Sequence, residues 1–484
     1  MVQARVAGLK LPSKLGLSAS QFPDDTRLRN KRRSPTTDAA GSMQPARAAM
    51  AANGHTERSH APTHVVHEGR LRNRPGVVHG FEPRYWLAMN LRIERLASAT
   101  DFQPILGEWE GLAARSSPWL PFATPAWNTL WWKHYCKRQR LGSRELFVHV
   151  VRCENNRLIA VAPLLLRRIP MVGGLQLRAI EFFGADPLIT EIRGVICEPA
   201  DQPAVIKALR NHFRDADTDW DLFRWQGIRA NVMQALDGSA PSLGSPVTQS
   251  DYVLPLPATF QIFLASMSLN TRKNIRKSYK YLERDRHAFN FRVVNTVRDH
   301  SNALESFFRL HSARAQIAGM HFKHRDSFAD PVNRDFISEF ALAMALRGSL
   351  IIFELEIAKE TVASQVGFLG GRELYLYYSG YDPAWRKYSV MTTLMVEIMR
   401  WGISQRLSVV NLSTGRDLSK LRWRPKEIKF MQGLERNSGW RGHVLARTYD
   451  VVAMGHRLAH RLSGYRDGSV IAPPPSERRN GNLR

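Results

Sequence analysis

The chain has 484 residues, 44% of them hydrophobic, and a formal charge of +26. That length exceeds one ordinary core and predicts two or three domains, while the charge predicts anionic partners such as cofactor phosphates, nucleic acid or an acidic membrane surface. Its three cysteines, Cys136, Cys153 and Cys197, show no CxxC spacing, which excludes a disulfide framework and a structural zinc site and fits a reducing cytoplasm with small buried thiols.

Residues 1–88 carry 14 basic and 6 acidic side chains among Ala, Pro, Ser and His. Such a segment cannot bury enough apolar surface to fold, so a disordered basic tail is expected, with a transit peptide as the other reading. It has no apolar stretch of signal-peptide type, and no run in the chain reaches the length of a membrane span. Met89 opens a strand-like run to Leu96 and is expected to be the natural first residue.

An N-terminal α/β lobe is expected over 89–250. Phe102–Ala113 has helical period, and Trp127, Leu130, Trp131 and Tyr135 share one face of a second helix. That stripe, followed by Lys137 and Arg138, reads as core or as an interfacial membrane anchor. Strands are expected at Leu146–Cys153, Arg157–Leu166, Leu175–Phe182 and Leu222–Trp225, with a turn at Asn155-Asn156 and a helix over Ala204–Arg214. Residues 238–250 read as a linker.

The second lobe, 251–445, is expected to begin its ordered elements near Phe260. Ser268 or Asn270 caps a helix to Asp285, with Ile275, Tyr279 and Leu282 as its apolar stripe. Arg272, Lys273, Arg276, Lys277, Lys280 and Arg284 cover the rest, a solvated face or a contact for a polyanion. Helices over Leu304–Ala318 and Asp335–Leu346 precede three strands, Leu350–Ile357, Thr361–Leu369 and Glu373–Gly380. A helix from Val390 to Gln405, a strand at Ser408–Leu412, a loop through Arg424 and a strand near Lys429–Leu434 follow. The stretch 446–484 is expected to hold a helix, Ala446–Leu462, and a disordered end. His456 and His460 on that helix read as exposed polar residues rather than metal ligands, and His321 and His324 as loop residues that could border a site. Both lobes place helices before antiparallel strands, the trace of a duplication.

The aromatic strand ending in Tyr378-Ser379-Gly380-Tyr381-Asp382 meets a basic turn, Trp385-Arg386-Lys387-Tyr388-Ser389, and then a helix. A positive helix end and two cations at one point suit a diphosphate. The strand beside it offers its edge to an extended ligand that bears amides. Coenzyme A has both parts. The diphosphate is assigned to Arg386, Lys387, Tyr388 and Ser389 with the first helical residues Val390, Met391 and Thr392, and Tyr378 completes the cofactor set. For chemistry, Asp417 and Tyr381 are the preferred acceptor and donor of protons, with Lys420 in support; Asp382 and Glu373 read more simply as turn and hairpin residues. Arg272, Arg276 and Asp382 are assigned to substrate.

Three stretches resemble the CelD-like (cellulose-biosynthesis-type) acetyltransferases of the GNAT superfamily, relatives of the Fem-type aminoacyl transferases. They are Leu269–Lys277, Tyr377–Asp382 with Tyr388-Ser389, and Leu412–Asp417 with Lys420 and Trp423. The resemblance implies an α/β (α+β) fold of tandem GNAT-like lobes, each a mixed, mostly antiparallel sheet flanked by helices. It implies acyl transfer from acetyl-CoA or another acyl-CoA, without a metal, to a small-molecule or glycan acceptor of polysaccharide or envelope synthesis. Transfer from charged tRNA and a non-catalytic anion-binding scaffold are the alternatives. Where that family carries Pro-Gly after Tyr-Ser, this chain has Val390-Met391, so a Cβ stands where backbone approaches a phosphate.

Overall fold

The computed structural model describes residues 90–138, 142–185, 189–215, 220–236, 247–317, 325–437 and 439. The basic tail, Met89, His321, His324 and the helix expected over 446–462 with His456 and His460 lie outside the described residues. In chain order the elements begin β1 (Arg92–Arg95), α1 (Leu106–Arg115), α2 (Pro125–Tyr135), β2 (Ser143–Leu146), β3 (His149–Arg152), β4 (Leu158–Ala162) and β5 (Leu164–Pro170). Next come β6 (Gln176–Phe182), β7 (Ile196–Cys197), α3 (Gln202–Asp215), β8 (Leu222–Arg229), α4 (Ala230–Leu236), β9 (Val247–Pro255), α5 (Phe260–Ser266), α6 (Leu269–Arg284) and β10 (Phe289–Val294). The chain continues through α7 (His300–Ala315), α8 (Pro331–Leu346), β11 (Leu350–Ile357), β12 (Glu360–Gly370) and β13 (Glu373–Tyr381). It ends with α9 (Val390–Ser404), β14 (Val409–Thr414), α10 (Leu418–Leu421) and β15 (Lys426–Arg436).

An eleven-stranded sheet runs β10-β11-β12-β13-β14-β9-β15-β8-β6-β5-β2, and β1-β3-β4-β7 form a second sheet of four strands. All neighbours in the large sheet are antiparallel except β13 with β14 and β6 with β8. One parallel pair thus lies on each side of the central strands β9 and β15. The fold is mixed α/β with mostly antiparallel sheets between helices.

Strands β11 to β13 are buried on both faces over most of their length, and β11, Leu-Ile-Ile-Phe-Glu-Leu-Glu-Ile, has the near-continuous apolar run that such burial favours. Leu350 and Ile352 join the aromatic cluster of α2 and α8, where Trp127 meets Phe336 and Phe340 at 4.9 and 4.7 Å. On the other face Phe353 packs 5.0 Å from Trp401 of α9. The stripe of α2 is therefore core, with Trp127, Trp131 and Tyr135 buried. No helix among the described residues is long and apolar enough to cross a membrane.

Several expected elements shift. The run Leu146–Cys153 is two strands in different sheets, β2 and β3, and Arg157–Leu166 divides likewise into β4 and β5 at Pro163. Proline has no N–H for a ladder, so the chain changes sheets there. The turn at Asn155-Asn156 joins β3 to β4 as expected, with Asn156 at φ 62. Helix α1 starts at Leu106 because a 3-10 turn, capped by Ser98 and holding Pro104, occupies Ala99–Ile105. Strands β9 and β10 fall where a linker end and a loop were expected. Strand β9 spans the 250/251 boundary, and β15 pairs with both β9 and β8, so one sheet joins the two halves of the chain. Glu435 of β15 fixes this joint: it accepts from Arg210 (3.1 Å), Arg214 (2.7 Å) and the Trp225 indole (2.7 Å). Of the cysteines only Cys197 is buried; Cys136 and Cys153 are partly exposed, and all three are free thiols.

Candidate active site

Strands β13 and β14 pair from Glu373↔Val409 to Tyr375↔Asn411, and no pairing continues beyond. Both strands carry the cause. Against β12, Gln365 pairs with Ser379 and Gly367 with Leu376, so Tyr377 and Tyr378 together oppose Val366. A bulge of this kind bends a strand and raises its twist. The Gln365 amide fills it by donating to the Tyr378 carbonyl at 3.0 Å. On β14 the register with β9 breaks between Asn411 and Thr414, and Ser413 takes φ 64. The strands part, leaving an opening bounded by Leu376–Tyr381 and Leu412–Thr414.

A polar cluster occupies the base of this opening. The Lys420 ammonium donates to Ser413 Oγ at 2.8 Å and to the Thr414 carbonyl. Asn411 donates to Asp251 at 2.7 Å, while Asp251 Oδ1 is buried without a hydrogen-bond partner. Glu191, from the segment after β6, accepts from the Tyr375 hydroxyl. Burial pushes the Glu191 carboxyl up to about 7 and Asp251 up to about 6, with the positive Lys420 opposing both shifts. Burial also depresses Lys420, and the two carboxylates oppose that. Two acids and a lysine in one crevice, each displaced from its ordinary range, form the pattern that catalytic sites favour.

Arg314 stands at the mouth. It donates to Ser379 Oγ at 2.9 Å and lies 5.8 Å from the Tyr381 ring centre. Burial lowers its pKa, and Tyr381 and Asp417 oppose the shift, so the opening brings Tyr381, Asp417, Lys420 and Arg314 into one electrostatic neighbourhood. Asp417 itself is exposed and caps α10, accepting from Ser419 N at 2.7 Å. The Tyr378 ring packs edge-on to His311 (5.3 Å) and Phe328 (5.2 Å). The α7 backbone crosses directly over Gly380: a Cβ there would sit 2.3 Å from His311 N.

The expected cofactor residues follow in a 3-10 turn, Pro383–Tyr388, which Asp382 caps by accepting from Ala384 N at 2.9 Å. Arg386, Lys387 and Ser389 are exposed, whereas Tyr388, Val390 and Thr392 are buried and Met391 is half-buried. The Tyr388 hydroxyl donates to Asp285 at 2.9 Å, with His287 Nε2 also at 2.9 Å, and Lys387 lies 3.7 Å from the same Asp285. Arg284 and Tyr388 hold that carboxyl far below the usual range. Arg272 and Arg276 are half-buried on α6, which packs on α9 and this turn; neither bonds to the residues of the opening among the described contacts.

Ser389 takes φ 56 and ψ 41 as the residue before α9, a left-handed conformation that costs a residue with a Cβ about 1 kcal/mol. Ser389→Gly is expected to raise stability by roughly 0.5–1 kcal/mol, read from urea midpoints; a loss of stability would show that the serine side chain holds the turn.

Glu191, Asp251 and Arg314 were not legible as site residues. Glu191 sits in irregular chain, and Asp251 lies in Ser250–Leu254, where the only signal is an acid inside a strand whose next three residues are apolar. Among the described residues no His, Cys, Asp and Glu side chains group to hold a metal.

No curated protein matches this chain. Among solved structures the chain is similar to FemX, with 10% identity, 70% of this chain and 96% of that one covered, and a TM-score of 0.48. It is similar to L-PGS from Bacillus licheniformis, at 14% identity over 68% of this chain and 91% of that one, TM-score 0.35. A tandem GNAT protein from the clavulanic acid biosynthesis pathway aligns at 12% identity over 72% and 99%, TM-score 0.34. Residues 270–421, which run from the basic helix α6 to α10 and include the opening with its Lys420, match the family model of the acetyltransferase (GNAT) domain.

Proposed function

We propose that the chain is an acyltransferase that binds acyl-CoA, acetyl-CoA in the simplest case, between β13 and β14 and acylates an amine or a hydroxyl. The observation that carries this reading is the parting of the two strands over the Glu191–Asp251–Lys420 cluster; both strands and Lys420 fall within the segment that matches the GNAT domain, and Glu191 and Asp251 reach the opening from outside it. The edge of β13 beyond Tyr375 is offered to the two amides of the pantetheine arm. Arg386, Lys387 and the start of α9 receive the diphosphate. Because Val390-Met391 replaces the small residues of the related enzymes, side-chain charge supplies attraction that close backbone approach would otherwise give.

In the transfer, the acceptor nitrogen or oxygen attacks the thioester carbonyl and its proton passes to Glu191. Backbone N–H groups of the bulged β13 face the developing oxyanion. As the new C–N or C–O bond forms and the C–S bond breaks, the CoA thiolate takes a proton from Tyr381. Arg314 holds Ser379 beside that tyrosine, and Asp417 tempers the charge of Arg314. The resemblance of its motifs to the CelD-like enzymes supports an acceptor among glycan or envelope building blocks.

Thermal unfolding with acetyl-CoA tests the reading. A ligand at 100 times its Kd adds about 2.7 kcal/mol to the folded state, so a clear rise in Tm is expected, and no rise with either acetyl-CoA or CoA would contradict it. The exposed cations Lys273, Lys277, Lys280 and Arg284 of α6 favour one other donor, aminoacyl-tRNA. That donor would declare itself by binding that weakens steeply with salt.

A further inference from the structure

Outside the proposed catalytic opening, one feature that the transfer chemistry does not use is a cleft in the N-terminal half, open to solvent. It lies at the far end of the second parallel pair, β6 and β8, whose pairing is confined to Ala179↔Leu222 and Ile180↔Phe223. Its walls are largely apolar, with Phe122, Phe183, Val195 and Phe430 among them. Two arginines line it, Arg193 and Arg229, and among the described residues that line it none is acidic.

The chain fixes Arg229 in place. Gln202, at the start of α3, accepts from Arg229 N at 2.9 Å and donates to the Gly227 carbonyl at 3.2 Å, stapling the end of β8. The Arg229 guanidinium donates to the Ser117 carbonyl. Among the described residues it forms no ion pair with a carboxylate. Glu198, between the lining residues Cys197 and Pro199, is taken by Arg115 at 2.6 Å and does not itself line the cleft. Removing a cation from water is costly unless an anion meets it. A guanidinium with donors to spare, set among aromatic and aliphatic walls, is the recognition chemistry for an oxyanion carried on an apolar body.

We propose that this cleft binds a small amphipathic anion, a carboxylate or phosphate on an apolar tail, with Arg229 as its charge partner. The site is separate from the transfer chemistry. It shares a wall with it nonetheless: Thr190 and Ile192 line the cleft, and Glu191 between them belongs to the catalytic cluster. The proposal stands whether or not acyl-CoA is the donor.

Calorimetric titration of the full-length chain with octanoate, octyl phosphate and octanamide is the test. Octanoate or octyl phosphate is expected to bind saturably at one site, and the tighter of the two names the headgroup. Octanamide, of the same length without the charge, should bind at least tenfold more weakly. Arg229→Gln should weaken the anion at least tenfold, and Val195→Trp, which fills the cleft with Arg229 intact, should abolish binding. The proposal is overturned if neither anion binds saturably, if octanamide matches octanoate, or if either folded variant retains full anion affinity. The comparison of octanoate with octanamide uses the unaltered protein and decides the matter even if a variant fails to fold.

Discussion

Gly380→Ala is expected to destabilise the protein by about 3 kcal/mol, near the top of the range for overpacking. The new methyl would lie 2.3 Å from His311 N and 2.5 Å from the Leu310 carbonyl carbon, both backbone atoms of α7. A flexible side chain could swing aside, but a helix backbone cannot. Either α7 lifts from the sheet, which uncovers Phe307 and Phe308, or β13 bends away and moves the edge offered to the cofactor. Arg314, one turn beyond His311, would lose its place beside Ser379 and Tyr381 in both cases. The same change at Gly107, in α1, meets nothing within 4 Å. There alanine is expected to stabilise by roughly 0.8–1 kcal/mol through helix propensity. Urea unfolding of both variants checks the pair; equal and small effects would show that α7 does not press on β13.

Glu191→Gln is expected to lower kcat/KM by roughly 10²-fold or more, the scale of a lost general base, while leaving acetyl-CoA affinity nearly unchanged. With the Glu191 carboxyl pushed up to about 7, the transfer rate proposed for the unaltered protein should rise with pH through about 7 and then level, because only the ionised form accepts the acceptor's proton. The glutamine variant should lose that limb. Stability has the opposite sign. The folded state keeps a proton that the unfolded chain, with its carboxyl near 4.5, has released. Stability from this group therefore falls as pH rises between about 4.5 and 7, and the glutamine variant should fall less over that window. A pH–rate profile unchanged by the substitution would remove Glu191 from the chemistry.

Much of the fold was legible because its signals are local. The apolar stripe of α2, the Ser268 cap of α6 and the β11–β12–β13 meander with its turns each declare themselves within about a dozen residues. Strand β9 did not, because its first residues, Val247–Ser250, are mostly polar and follow a loop-like run; what makes them a strand is the gap between β14 and β15 that they fill. The passage between sheets at Phe147 and Pro163 was hidden for the same reason. In the site, the basic turn and Lys420 could be read from order and residue type. The acids could not: Asp251 meets Asn411 across 160 residues and Glu191 meets Tyr375 across 184. Contacts of that separation are set by the assembled sheet. Asp417 was legible as a loop acid beside Lys420, but the lysine turns instead to Ser413 and Thr414.

The measurement that bears most directly on the central claim is calorimetric titration of acetyl-CoA into the unaltered chain and into an Arg386→Glu, Lys387→Glu double variant. Both side chains are exposed, so the fold should tolerate the change. One saturable site is predicted, weakened at least tenfold by the charge reversal. Absence of saturable binding, or binding that the reversal leaves untouched, would contradict the assignment of the opening between β13 and β14 as the place where an acyl-CoA is held.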